Sequence, residues 1–193
     1  AMGYSHLDPT HRYVLTYYGS FYHSSDDGNN WQLSSAFDGP DAHYFYGSTI
    51  WDSQSTSGTV IIGGSGYSNP PVYISYNHGE SFIPVNEDLP NTLVYELTGT
   101  PDDAYFFAAT EVGPYVYITE EGTWQDLAGI SAPDQTYWSV EYIPELNTAR
   151  FGTYGRGIWD FIIDDSVNIA GDINFDVTVI FQVFVLLVNF VLG

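Results

Sequence analysis

The feature that most constrains this chain is a short strand with an aromatic residue at a fixed place, occurring four times: Gly19–Ser24, Pro70–Ser75, Pro114–Thr119 and Arg156–Phe161. Its aromatic positions, Tyr22, Tyr73, Tyr117 and Trp159, are separated by 51, 44 and 42 residues. A period of roughly 40 to 50 residues is the length of one four-stranded sheet with its turns, and such a unit cannot bury its apolar faces alone. Further short strands bounded by turn residues fill the intervals: Tyr44–Ile50, Thr59–Gly63, Leu93–Thr98, Tyr105–Thr110, Tyr137–Tyr142 and Ala149–Thr153. With 18% aromatic residues, 19 Gly and 10 Pro, the chain reads as all-β, and no helix is expected before residue 165.

The first two repeats lead into a second motif. Ser24-x-Asp26-x-Gly28-x-x-Trp31 follows the first strand, Ser75-x-Asn77-x-Gly79-x-x-Phe82 follows the second, and a contracted Thr119-Glu-Glu121-Gly122-Thr-Trp124 follows the third. Such a stretch staples a hairpin: the Asp or Asn side chain bonds the amides of the turn, Gly accepts positive φ, and the aromatic folds back over the hairpin. These residues are therefore expected to build the fold and not to carry catalysis.

With both patterns in register, the chain resembles secreted bacterial β-propellers of the BNR, or Asp-box, type. That superfamily includes sialidases, xyloglucanases and sortilin-type receptor domains. The resemblance covers about residues 10–163, and its strongest stretches are Phe106–Tyr117 and Arg150–Trp159. It implies antiparallel blades over residues 1–165. About three and a half repeats make three to four blades, an incomplete ring, since a closed one usually needs at least about four and more often six to eight. Open blade edges need covering, so the partners expected are other copies of the chain or the rest of a longer propeller.

Residues 166–193 form a second unit by sequence. Asp172, Asn174 and Asp176 resemble positions 1, 3 and 5 of a dockerin calcium loop, and the apolar stretch Val185–Leu192 would be its helix. The resemblance breaks at position 6, where Val177 replaces Gly, and at position 12, where Val183 replaces the bidentate acid. Any calcium there would be held weakly. The apolar run Val177–Leu192 has 16 residues, short of the about 20 that span a bilayer, and lacks a basic flank. It is expected to pack against protein.

Charge narrows the function classes. Asp and Glu number 24 against three Arg and no Lys, a formal net charge of −21, which repels phosphate backbones and anionic lipid. Nucleic acid is excluded as a partner, whereas neutral glycans are compatible. The chain has no Cys, so disulfides and thiol chemistry are absent. No catalytic constellation emerges. His6, His11, His23, His43 and His78 show no metal-ligand spacing, and Asp38, Asp41, Asp52, Asp102, Asp103, Asp134 and Glu145 fall in turn-like stretches as solvated carboxylates. Trp51, Tyr67 and Trp138, with Tyr44, Tyr46 and Tyr137, are candidates to stack on sugar rings. The resulting expectation is a non-catalytic extracellular propeller segment acting in binding or in assembly of a surface or fibre structure. The alternative is a C-terminal fragment of a secreted glycoside hydrolase of the same superfamily.

Overall fold

The structure is a computed structural model; it describes residues 1–34, 45–67, 69–128 and 132–163, and the backbone of 181–186. Four antiparallel four-stranded sheets follow one another along the chain. The first holds β1 (Met2–Tyr4), β2 (Arg12–Leu15), β3 (Phe21–Ser24) and β4 (Gln32–Leu33), and the second β5 (Thr49–Asp52), β6 (Val60–Gly63), β7 (Val72–Ser75) and β8 (Ile83–Pro84). The third holds β9 (Val94–Gly99), β10 (Tyr105–Thr110), β11 (Pro114–Ile118) and β12 (Thr123–Asp126), and the fourth β13 (Tyr137–Ile143), β14 (Thr148–Thr153), β15 (Ile158–Ile163) and β16 (Phe181–Leu186). Among the described residues the helical structure is one 3-10 turn at Pro144–Leu146.

The repeat register holds. Tyr22, Tyr73, Tyr117 and Trp159 all lie in the third strand of their sheets, facing Val14, Ile62, Phe106 and Phe151 on the second strands. First strands of successive sheets lie beside one another, β1 by β5, β5 by β9 and β9 by β13, and form the inner edge of an arc.

Packing between sheets supplies the core. Tyr13, Leu15 and Phe21 of the first sheet meet Val60, Ile62, Tyr73 and Phe82 of the second. Ile61, Val72 and Ile74 on its other face meet Phe106, Ala108, Tyr115 and Trp124 of the third. Phe107, Ala109 and Val116 then meet Tyr137, Val140, Ala149, Phe151, Phe161 and Ile163 of the fourth. Every residue of β6 and β7 is buried, because the second sheet has a neighbour on each face.

The C-terminal segment departs from its sequence reading. Phe181–Leu186 is a strand, not the end of a calcium loop running into a helix: it pairs with β15 from Ile158↔Leu186 to Ile163↔Phe181 and completes the fourth sheet. The helix expected from Val185 is therefore corrected at Val185 and Leu186. The open edge of β15 offers a ladder to an apolar, β-branched run, which favours pairing over helix. Asp172, Asn174 and Asp176 lie outside the described residues.

Sheet packing leaves no space at one turn. Gly79 has φ +81°, and a Cβ there would overlap the Phe21 ring, whereas Gly155 has φ +86° with nothing within 4 Å. Gly79→Ala is expected to cost about 2–4 kcal/mol and Gly155→Ala only about 1 kcal/mol, read from urea unfolding midpoints. Equal losses in the two variants would remove the steric argument.

Candidate functional site

The first-to-second turns of the four sheets and the third-to-fourth turns of the first three lie at one end, and the second-to-third turns and the starts of the first strands at the other. The sequence-chosen turns fall at the first end. Ser24 Oγ donates to Asp26 Oδ1 (2.8 Å) and accepts from the N–H of Gly28 (3.0 Å), while Asp26 Oδ1 accepts from the N–H of Asn30 (2.8 Å). Ser75 repeats this with Asn77 (2.9 Å) and the N–H of Gly79 (2.9 Å), and Asn77 Oδ1 accepts from the N–H of Ser81 (3.0 Å). Asparagine can replace aspartate because the role is acceptance from backbone amides. Hydrogen bonds from Asn30 and then Ser24 hold the Asp26 carboxyl below the usual carboxylate range.

The third stretch closes differently. The N–H groups of Glu121 and Gly122 both donate to the Ile118 carbonyl, Thr119 Oγ1 donates to the Asp103 carbonyl, and Glu121 accepts from Gln125. Trp124 pairs with Tyr117, the position held in the first two sheets by Leu33 and Pro84, and its Nε1 donates to the Val85 carbonyl that follows β8 (2.8 Å). Phe82 reaches back to Phe21 at a ring distance of 4.7 Å. Trp31, at the position of Phe82, bonds only its own turn through the Gly28 carbonyl and is 42% exposed.

A buried polar cluster that sequence reading missed lies at the same end. Asp52 is buried at the end of β5, which corrects its reading as a solvated turn carboxylate. Its Oδ2 accepts from the N–H of His6 (2.8 Å), and its Oδ1 has no partner. The Tyr13 hydroxyl meets His78 Nδ1 (3.1 Å), Ser57 Oγ meets His78 Nε2 (3.3 Å), and the His11 and His78 rings stack at 3.7 Å. Burial pushes the Asp52 carboxyl and the Tyr13 hydroxyl up and pushes the His78 and His23 imidazoles down. Among the described residues no group of three or more His, Asp or Glu side chains is placed to hold a metal. The Asp102 side chain is tied to Thr100 and the N–H of Ala104, and Asp103 to Ser53 and Ser55. Asp134 and Glu145 are exposed.

The opposite end carries exposed aromatics: Tyr17, Tyr18, Tyr46, Tyr67 and Tyr154 in turns and connections, and Trp138 at the start of β13. Trp138 packs against Tyr95 at a ring-centroid distance of 4.2 Å, the ring planes tilted by 37°. A cleft of about 470 Å³ lies between β9 and the fourth sheet, lined by Glu96, Thr98, Ser139, Glu141, Arg150 and Ile158 among others. Glu96 Oε2 accepts from the N–H of Val140 (3.0 Å), and Arg150 is held by Asp160 through two bonds of 2.7 Å. Of the sequence candidates for stacking, Tyr67 and Trp138 are exposed, whereas Trp51 packs edge-on against Phe106 at 5.1 Å and Tyr137 is fully buried. Both are core residues. Tyr44 lies outside the described residues.

No family model matches this sequence, and no curated protein matches it. Solved structures do match in shape. The GH74 enzyme of Niastella koreensis superposes with a TM-score of 0.66 at 18% identity, over 83% of this chain and 27% of that one. The GH74 xyloglucanase from Xanthomonas campestris gives 0.63 at 14% over 83% and 27%, and the extracellular domain of BT4673 from Bacteroides thetaiotaomicron 0.63 at 17% over 84% and 22%. The four sheets are propeller blades. The chain spans about a quarter of the length of these matches, which accords with an incomplete ring.

The histidines predict how the blades respond to acid. His78 has a folded-state pKa below its ordinary 6.5, so the unfolded chain takes the proton first. Its contribution to stability is complete above pH 6.5 and is lost as pH falls through the folded-state value. Asp52, raised above 3.8, acts in the opposite sense, since the folded state protonates first, but only as pH falls through its own raised value. The melting temperature is therefore expected to drop from about pH 7.5 to 5.5, and less steeply in His78→Gln. Parallel profiles for parent and variant would show that His78 is not the titrating group.

Proposed function

We propose that this chain is a non-catalytic segment of an extracellular β-propeller, completed by further blades and acting by binding. The supporting observation is the difference between middle and end sheets. The second sheet is covered on both faces, but the outer face of the first carries the cross-strand row Met2, Val14, Tyr22 and Leu33, whose ends Met2 and Leu33 are exposed. A row of this kind suits the onward face of another blade, and Trp31 at its side suits the contact that Phe82 makes with Phe21. Such blades come from a longer chain or from other copies.

The second reading, a piece of a secreted glycoside hydrolase, is favoured by two carboxylates in one cleft, Glu96 and Glu141. Glycosidases need such a pair, but Glu96 is already bonded to the N–H of Val140. Xyloglucan and fluorogenic sialosides are expected to remain uncleaved by this chain, and turnover abolished by Glu141→Gln would establish the enzyme reading. Sedimentation of the chain is expected to show association that Leu33→Lys and Tyr22→Lys weaken. A strictly monomeric parent at high concentration would remove self-assembly, leaving the longer chain as the source of blades.

A further inference from the structure

The third and fourth blades share an irregularity that the first two lack among the described strands. In the β9–β10 ladder Ala109 pairs with Glu96 and Thr110 with Val94, so Tyr95 is an extra residue on β9. In the β13–β14 ladder Gly152 pairs with Ser139 and Thr153 with Tyr137, so Trp138 is an extra residue on β13. The two bulges stand at equivalent places: Thr110 and Thr153 each use the backbone N–H and the hydroxyl to bond the carbonyl of a turn glycine, Gly113 and Gly157. A bulge interrupts pairing and turns one side chain out of the pleat. Here it does so twice, and the two side chains are rings in contact with one another, tilted by 37°.

The positions around the bulges are fixed. Glu96 and Ser139 follow the extra residues directly, and the Glu96 carboxylate clips the two inner strands together by accepting the N–H of Val140. Thr49 occupies the same position one blade earlier, where its hydroxyl accepts the N–H of Leu97 (3.2 Å). Gly152 leaves room beside the second bulge, since a Cβ there would meet Ser139 Oγ at 2.5 Å. Trp138 nevertheless remains 50% exposed.

We propose that Tyr95 and Trp138 form a stacking platform for an uncharged saccharide, with the adjoining cleft supplying its polar contacts. The proposal rests on the reading of this chain as a binding segment and names its site. The half-buried Tyr95 ring backs the half-exposed Trp138 indole at a tilt of 37°, an arrangement that offers the indole face to the apolar face of a sugar and does not surround a cation as an aromatic cage does. The Ser139 hydroxyl, the Glu141 carboxylate and the Asp160-held Arg150 guanidinium line the cleft and offer the mixed donors and acceptors that sugar hydroxyls require. The cleft volume of about 470 Å³ falls in the usual range of ligand sites. A formal net charge of −21 disfavours anionic ligands.

The test is isothermal titration of the whole chain with cellohexaose and mannohexaose, with hexagalacturonate and choline as anionic and cationic probes. A neutral hexasaccharide is expected to bind, with Trp138→Ala and Tyr95→Ala each weakening it at least tenfold, Trp138→Phe retaining most of the affinity, and all three variants melting like the parent. Unchanged affinity in both alanine variants would place the saccharide elsewhere, defeating the platform but leaving the binding reading intact. Failure of the parent to bind any member of a neutral glycan array would defeat both. Preferential binding of choline or hexagalacturonate would overturn the assignment of ligand class.

Discussion

A β-sheet that is apolar on both faces cannot stop at one neighbour, and this constraint governs the molecule. In the second sheet the residues of β6 alternate between contacts with the first sheet, through Val60 and Ile62, and with the third, through Ile61. Both sets are buried, so the strand reads as a continuous apolar run where a sheet with one wet face would alternate. Each added sheet covers one face and presents another, and the arc grows by the same contact until something caps it. The fourth sheet changes the chemistry of its onward face. Glu141, Arg150 and Asp160 stand in cross-strand register there, and Arg150 and Asp160 form a bidentate ion pair, where the third sheet presents Phe107 and Val116. The two ends of the arc are therefore not equivalent surfaces.

The turn serines show how little sequence is needed to fix the outer hairpins. One hydroxyl in each, Ser24 or Ser75, accepts the N–H of a glycine four residues on, and one side-chain oxygen, from Asp26 or Asn77, accepts an N–H four residues beyond itself. Amides that the ladder cannot reach are thus paired locally, which matters because an unpaired buried donor costs about 1–3 kcal/mol. The third hairpin dispenses with the arrangement by shortening to a turn closed on the Ile118 carbonyl. Its tryptophan is thereby shifted along the strand, and it compensates by bonding to the neighbouring blade.

What was legible in the sequence is what repeats or is local. Tyr22, Tyr73, Tyr117 and Trp159 announce the third strands because their spacing is the blade period, and β10 lies at Tyr105–Thr110 as its apolar run indicates. The buried cluster around Asp52 was not legible, since Tyr13 and His78 are 65 residues apart and meet only once two blades have packed. Val185 and Leu186 show the converse error. Read locally the run suits a helix, but the free edge of β15 decides otherwise. Trp138 was a candidate from the sequence, but its pairing with Tyr95 was not legible for a third reason, because a bulge is a property of the register between two strands and leaves no mark in the alternation of one.

The placement of the bulges also explains why Trp51 and Trp138 have opposite environments despite lying on corresponding first strands. The β5–β6 pairing is regular from Thr49↔Gly63 to Asp52↔Val60, so Trp51 keeps the alternation of its strand and is delivered to the third sheet, against Phe106. Trp138 is the residue its ladder skips, so the same alternation cannot carry it into the contact between blades. Its neighbour Tyr137 takes the core position instead, fully buried and bonded through its hydroxyl to the Pro133 carbonyl (3.0 Å). One inserted residue per strand thus lets the inner edge of the arc keep its packing while the Trp138 ring stays half exposed with the half-buried Tyr95 ring against it. A regular strand could not do both, since Tyr137 and Val140, three residues apart, would then face opposite sides of the sheet and only one of them could stay in the core.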